Sequence, residues 1–267
     1  MELGIKNKVA VITGGDIGGM GHATAKMLAA EGVKIAIIDK TQEPLDKAVE
    51  EVNKIGEAIG VTVNLTNKDE VEAARQKILD HYGEVHMLVN AAGITGATKP
   101  FLELTDEDWW HTLDVDLMIA VRVCRAFIPS MQQAGWGRIV LFASEDAIQP
   151  YKDEMPYCAA KAGVLTLMKN LSKEFTKDGI LVNSVSPAYV ATPMTDAMME
   201  KRAKEKNMSF DEAIETFLDE KRPHLELHRR GKAQEVAAVV TFLCSELSSF
   251  VVGSNYRVDG GSVATIS

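Results

Sequence analysis

A doubly wound α/β fold, with a parallel sheet of about seven strands and helices on both faces, is what this chain predicts. Three observations predict it. Short β-branched runs alternate with longer helical patterns along most of the 267 residues. The runs are continuously apolar, as strands buried on both faces must be. A glycine-rich turn joins the first run to the first helical stretch.

In chain order, the strands read as "VAVIT" (9–13), "VKIAIID" (33–39), "VTVNL" (61–65), "HMLVN" (86–90), "RIVLFA" (138–143), "ILVNSVS" (180–186) and "NYRVD" (255–259). Helical patterns fill 20–31, 42–55, 68–82, 106–134, 157–177 and 234–245. No internal repeat or linker divides the chain, so residues 1–267 read as one domain. The segment 194–230 breaks the rhythm. It holds no strand and reads as one or two charged amphipathic helices, either a solvated hairpin or a mobile lid. Its place after the sixth strand's C-terminal end favours a substrate-binding lid, because ligands bind at that edge of such sheets.

Composition excludes several classes. Apolar residues make up 46% and charged residues 25%, as in ordinary globular proteins. A net charge of −9 and the lack of a basic stripe argue against nucleic-acid binding. No apolar run is long enough to cross a bilayer, and "MELGIKNK" lacks a signal core. Three distant cysteines, Cys124, Cys158 and Cys244, suggest reduced thiols in a cytoplasm, with neither a disulfide framework nor a metal site.

The turn after the first strand reads "TGGDIGGMGH", where Gly15, Gly19 and Gly21 form G-x-x-x-G-x-G. Glycines there permit close approach to a pyrophosphate, and the following helix offers free N–H groups and a positive dipole end. This is a Rossmann-type arrangement for a dinucleotide. Asp39, ending the second strand, can accept hydrogen bonds from both ribose hydroxyls and would repel a 2′-phosphate. Asp16 adds negative charge, and Lys40 is the one contrary feature. NAD is therefore preferred over NADP.

"PYCAAKAG" (156–163) sets Tyr157 and Lys161 one helical turn apart, on one face. A nearby ammonium favours phenolate and would lower a phenol pKa from its ordinary ~10 toward the range useful for proton transfer.

Taken with "NAAG" (90–93), Ser144, "SPAYVATPM" (186–194) and "VDGG" (258–261), these motifs resemble the short-chain dehydrogenase/reductase family over nearly the whole chain. Ser144 stands thirteen positions before Tyr157, the spacing that family uses. The resemblance implies that Tyr157 is the general acid/base, that Lys161 holds the nicotinamide ribose and lowers the Tyr157 pKa, and that Ser144 hydrogen-bonds the substrate oxygen. It implies cofactor contacts from Gly15, Gly19, Met20, Gly21, Asp39, Asn64, Leu65, Asn90, Ala91, Gly93, Tyr157, Lys161, Pro187, Val190 and Thr192. The chain departs from the family in four places. The glycine loop holds one extra residue. Asp116 replaces the Asn that completes the catalytic tetrad through a relay water. Asn64 stands for an Asp that contacts the adenine amino group. Ala188 replaces a Gly.

Glu145 and Asp146 either line the pocket, favouring a cationic or polyhydroxylated substrate, or face water. Trp109 and Trp110 look like a core or subunit-packing stripe. Cys158 reads as a small buried hydrophobe. Met194, Met198 and Met199 form either a lid surface or core. The leading expectation is an NAD(H)-dependent oxidoreductase of small secondary alcohols and ketones, with no metal. The alternatives are an NADPH-using reductase of acyl-carrier-protein-linked ketones and a non-catalytic NAD-binding regulator. A homotetramer is expected by resemblance.

Overall fold

The computed structural model describes residues 2–266. The first half runs β1 (Val9–Thr13), α1 (Met20–Ala30), β2 (Lys34–Asp39), α2 (Gln42–Asn53), β3 (Ala58–Thr62), α3 (Lys68–Tyr82), β4 (Met87–Asn90), α4 (Asp106–Leu113) and α5 (Ile119–Ala134). It continues through β5 (Gly137–Phe142), α6 (Met155–Phe175), β6 (Ile180–Pro187), β7 (Val190–Ala191), α7 (Pro193–Lys206), α8 (Phe210–Lys221), β8 (Gly231–Lys232), α9 (Ala233–Leu243) and β9 (Asn255–Val258).

Among the described residues the main sheet is seven-stranded and parallel, in the order β3-β2-β1-β4-β5-β6-β9. Alternate residues of the strands feed two cores. Val9, Val11, Leu88, Ile139 and Val182 pack with α3, α5 and α6 on one face. Ala10, Ile12, Ile37, Val89 and Val140 pack with α1, α2 and α9 on the other. Burial on both faces explains why the strands read as unbroken apolar runs. The order reverses between β1 and β4, so the crevice for a ligand opens at their C-terminal ends.

Two expectations need correction. The third strand lies at Ala58–Thr62, three residues before the expected 61–65. The Asn53 side chain fixes its start by bonding both the N–H and the C=O of Ala58, at 2.8 and 3.1 Å, and Ala58 pairs with Ile35. Gly60 interrupts the apolar run there and hides the strand. The expected helix 106–134 is also not continuous: a π-helical turn, Asp114–Met118, separates α4 from α5. Such turns insert one residue and frequently mark functional sites; this one carries Asp116.

The segment after β7 is helical, as expected. Thr192 and Thr195 form a capping box at the start of α7, and Ser209 with Glu212 does the same for α8. Asn207, at φ 51°, ends α7 in the left-handed conformation. Tyr189, Met199, Leu218 and Leu225 form a separate small core. Arg202 and Lys206 meet Glu220 at 2.8 and 3.1 Å. Parallel pairing of β7 with β8 joins the two ends of the excursion.

Candidate active site

The glycine loop accommodates its extra residue in a tight turn. Gly18 lies at φ 85° and Gly19 N–H donates to Asp16 C=O at 3.3 Å. A Cβ on Gly15 would sit 2.5 Å from Ile37 Cγ2, and one on Gly21 would strike the Gly14 carbonyl oxygen. A Cβ on Gly19 would come no nearer than 3.5 Å to its neighbours. Gly15 therefore makes room for the Ile37 side chain, Gly21 lets backbone pack on backbone, and Gly19 leaves open the approach to α1. The first turn of α1 has neither a side-chain cap nor an acidic residue. Its free N–H groups and positive end suit an anion. The buried His22, which the sequence did not single out, accepts from Gly18 N–H at 3.3 Å through Nδ1 and braces the loop.

Asp39 ends β2 beside this turn, one carboxylate oxygen accepting from Lys40 N–H at 2.7 Å. Burial, with Asp39 nearby, holds the Asp16 carboxyl above its ordinary range. The Asn64 amide oxygen accepts from the Thr66 N–H and hydroxyl, at 3.2 and 2.8 Å. The Leu65 side chain is buried in the core, so any outward contact there belongs to its backbone. Buried Asn90 accepts from the Thr13 hydroxyl at 2.8 Å, and Ala91 N–H donates to Thr13 C=O at 3.2 Å, tying the ends of β1 and β4 together. Pro187 closes β6, Val190 lies in β7, and Thr192 caps α7. The Thr95 hydroxyl lies 3.6 Å from Met194 Sδ across the crevice.

Ser144, Tyr157, Lys161 and Asp116 converge at the centre of this edge. Ser144 follows β5, Tyr157 and Lys161 lie in α6, and Asp116 comes from the π-helical turn. Pro156 favours the first turn of α6 because its missing N–H would be unpaired there anyway. Ser144 lies beside the Tyr157 phenol and acts to lower its pKa. Lys161 Nζ lies 5.4 Å from the Tyr157 ring centroid, donates to Phe142 C=O at 3.2 Å and pairs with Asp116 Oδ1 at 3.3 Å. Asp116 Oδ1 also accepts from Ile94 N–H at 3.1 Å, while its buried Oδ2 has no protein partner. Burial holds the Asp116 carboxyl above its ordinary range, against the pull of Lys161. Gly93 lets the post-β4 loop pass close by, since a Cβ there would lie 2.6 Å from Asp116 Oδ1.

The expected lowering of the Tyr157 pKa is corrected. Desolvation first, then Asp146 and Asp116, push the phenol above its ordinary value. Lys161 shares its charge with Asp116, and the surrounding carboxylates act in the opposite direction.

Glu145 and Asp146 do not face water: both are buried. The Ser144 hydroxyl donates to Asp146 Oδ1 at 2.9 Å. Burial first, then the nearby Asp146 carboxyl, push the Glu154 carboxyl up to about 7. Arg222, at the end of α8, lies 3.3 Å from Glu145, 3.5 Å from Glu154 and 3.8 Å over the Tyr151 ring. Glu154 and Arg222 were not among the sequence candidates. Glu154 is only three residues before Tyr157, but Arg222 is brought in by the α7–α8 excursion. Cys158 is buried as expected, its thiol pushed by burial up to about 11. Met199 is core, Met194 is exposed at the crevice, and Trp110 is 70% exposed. Among the described residues no cluster of potential metal ligands occurs, and no helix is long and apolar enough to cross a membrane.

A family model described as enoyl-(acyl carrier protein) reductase matches residues 15–263. The chain is 34% identical over 260 residues to a 3-oxoacyl-(acyl-carrier-protein) reductase of Thermotoga maritima, covering 97% of this chain and 99% of the relative. It is 34% identical over 255 residues to cyclohexanol dehydrogenase of Acinetobacter sp. strain SE19, covering 95% and 94%. The crystal structure of L-sorbose reductase from Gluconobacter frateurii, complexed with NADPH and L-sorbose, superposes with a TM-score of 0.94 at 32% identity over all of both chains. NAD+-bound xylitol dehydrogenase superposes with a TM-score of 0.87 at 27% identity, covering 96% and 99%.

Proposed function

The chain belongs to the short-chain dehydrogenase/reductase family of oxidoreductases, and on that premise we propose that it is an NAD(H)-dependent enzyme interconverting small ketones and secondary alcohols. The convergence of Ser144, Tyr157 and Lys161 at the mouth of the crevice carries this reading.

A nicotinamide dinucleotide, when bound, supplies or accepts the hydride. The glycine loop and α1 fit its pyrophosphate through free N–H groups, and Gly93, Asn90 and Thr192 border the same crevice. Lys161 positions the ribose, and Asp116 orients Lys161. Ser144 hydrogen-bonds the substrate oxygen as charge develops there. Tyr157 holds the transferable proton. A phenol raised by its surroundings is protonated at neutral pH, which suits it as the acid in carbonyl reduction.

NAD(H) is favoured by Asp39 and Asp16, two neighbouring carboxylates at the end of β2 and in the glycine loop whose charge would oppose a 2′-phosphate. The relatives include both an NADPH complex and an NAD+ complex, so this chain's own residues carry the choice. The α7–α8 excursion is read as a lid over the substrate. Phe101, Leu102 and Trp110, exposed at 58, 94 and 70%, give a second copy an apolar surface, in line with a cytoplasmic homotetramer. A monomeric mass in light scattering would refute the tetramer.

The test is purified protein with NADH or NADPH and a panel of small ketones. Turnover that favours NADH and falls at least a hundredfold in Tyr157→Phe supports the reading. No turnover by the wild type, or unchanged turnover in Tyr157→Phe, sinks it. The second reading, a carrier-linked ketone reductase, draws on the Thermotoga maritima relative. NADPH-specific turnover of acyl-carrier-protein thioesters with none of free ketones would favour it.

A further inference from the structure

One side chain of the α7–α8 excursion ties together the two segments that carry Ser144 and Tyr157. Glu145 directly follows Ser144 and opens a short 3₁₀ turn, Glu145–Ala147. Glu154 is the residue at which α6 begins, three positions before Tyr157. Arg222 closes the C-terminal end of α8, its N–H donating to Leu218 C=O at 2.9 Å. The Arg222 guanidinium lies 3.3 Å from Glu145 Oε1 and 3.5 Å from Glu154 Oε1. It also sits 3.8 Å over the ring of Tyr151, which lies between those two in the chain. The preceding Lys221 pairs with Asp153 at 3.7 Å, so the end of α8 meets the 145–154 segment at two successive residues. The Arg222 side chain is 10% exposed and that of Glu145 only 2%, so neither charge is left to water.

We propose that Arg222 is a positioning residue through which the seated excursion sets Ser144 and Tyr157 for a shared substrate oxygen. The proposal rests on the oxidoreductase reading. Both hydroxyls must point at one oxygen, yet they stand on different segments. The chain between them holds no helix or strand beyond the one short turn. A planar guanidinium with a fixed fork of donors can grip a carboxylate at each end of that stretch at once. An ammonium on a flexible stem does this less well. Misplacement of a reacting group by about 1 Å can cost about a hundredfold in rate, so a brace on both ends bears directly on turnover.

The guanidinium is also the cationic partner of Glu145 and Glu154, and removing it would leave both acids without one close to the catalytic pair. Arg202 offers the contrast. It belongs to the same excursion and is similarly buried, with 14% of its side chain exposed, but it pairs inside the excursion, with Glu220 at 2.8 Å. Arg202 holds the excursion together; Arg222 holds the excursion to the segments that bear the reacting hydroxyls.

The experiment compares kcat and KM for ketone reduction in wild type, Arg222→Lys, Arg222→Ala and Arg202→Ala, with melting temperature and NADH fluorescence titration for each. Arg222→Ala should lose about tenfold to a hundredfold in kcat, with the NADH dissociation constant changed less than about twofold. Arg222→Lys should lose about threefold to tenfold, because its ammonium cannot span both acids. Guanidinium ion added to Arg222→Ala should restore part of the lost rate, and methylammonium at the same concentration should not. Arg202→Ala should lower the melting temperature while kcat stays within about twofold of wild type. Wild-type kcat in Arg222→Lys, a rise in KM alone, or equal rate losses in Arg202→Ala and Arg222→Ala overturns the positioning role while the oxidoreductase reading stands. Should Arg222→Ala fail to fold, Arg222→Lys decides: a lowered kcat at the wild-type melting temperature supports the role, and an unchanged one overturns it. No turnover by the wild type overturns the oxidoreductase reading, and the positioning role with it.

Discussion

Asp116 Oδ1 holds two partners at once, the Lys161 ammonium at 3.3 Å and the Ile94 N–H at 3.1 Å. Both side chains of the pair are almost wholly buried, at 5 and 0% exposure. Removing one partner of such a pair leaves an uncompensated charge. Asp116→Ala should therefore destabilise the fold by about 3–5 kcal/mol in denaturant unfolding. Asp116→Asn keeps an oxygen for Ile94, and Lys161 keeps Phe142, so its loss should be clearly smaller. Both variants remove the ion pair, so equal losses would trace the whole effect to it and leave the Ile94 bond no measurable share.

Gly21 and Gly19 should part company on substitution. A Cβ at position 21 meets backbone, which cannot step aside, whereas one at position 19 has ordinary room. Gly21→Ala should abolish measurable dinucleotide binding or soluble expression. Gly19→Ala should fold with the wild-type melting temperature within a few degrees. Calorimetry and NADH fluorescence titration read both.

Asp39→Ser removes the carboxylate that disfavours a 2′-phosphate and leaves a hydroxyl for the ribose. Hydrogen bonds to charged groups contribute about 1.5–3 kcal/mol, so the ratio of NADH to NADPH dissociation constants should move toward NADPH by about tenfold or more. An unchanged ratio at fixed ionic strength would remove Asp39 from the discrimination.

Glu154 makes stability depend on pH. Its carboxyl is raised from 4.5 to about 7 by burial and by Asp146. A carboxyl raised on folding takes up a proton as the chain folds. Its contribution is complete below the unfolded value and is lost as pH rises through the folded one. Between about pH 4.5 and 7, the stability of wild type relative to Glu154→Gln should decline by at least about 1 kcal/mol, the worth of roughly one pKa unit. A flat difference across that window would contradict the assignment.

The strand runs and the site triad were legible because each depends on local pattern: unbroken apolar stretches, turn glycines, and one-turn spacing of Tyr157 and Lys161. The third strand was misplaced because Gly60 broke its apolar run, and the Asn53 bonds to Ala58 that fix its start are not visible as periodicity. The π-helical turn at Asp114–Met118 was hidden because one inserted residue hardly disturbs an amphipathic pattern. Hardest to read was the field around Tyr157. Spacing shows that Lys161 is near, but desolvation and the inward turn of Asp146 emerge only after folding. Arg222, 68 positions after Glu154, joins that field through tertiary structure alone.

The pairing of Val190 with Gly231 gives the α7–α8 excursion adjacent points of departure and return. Its small core of Tyr189, Met199, Leu218 and Leu225 is separate from the two that flank the sheet. The excursion thus has its own packing on a two-residue clasp and meets the site through Thr192, Met194 and Arg222. A graft that begins after Pro193 and stops before Arg222 would keep the side chains bordering the dinucleotide crevice, and this makes α7–α8 the natural place to re-engineer which molecule the protein accepts.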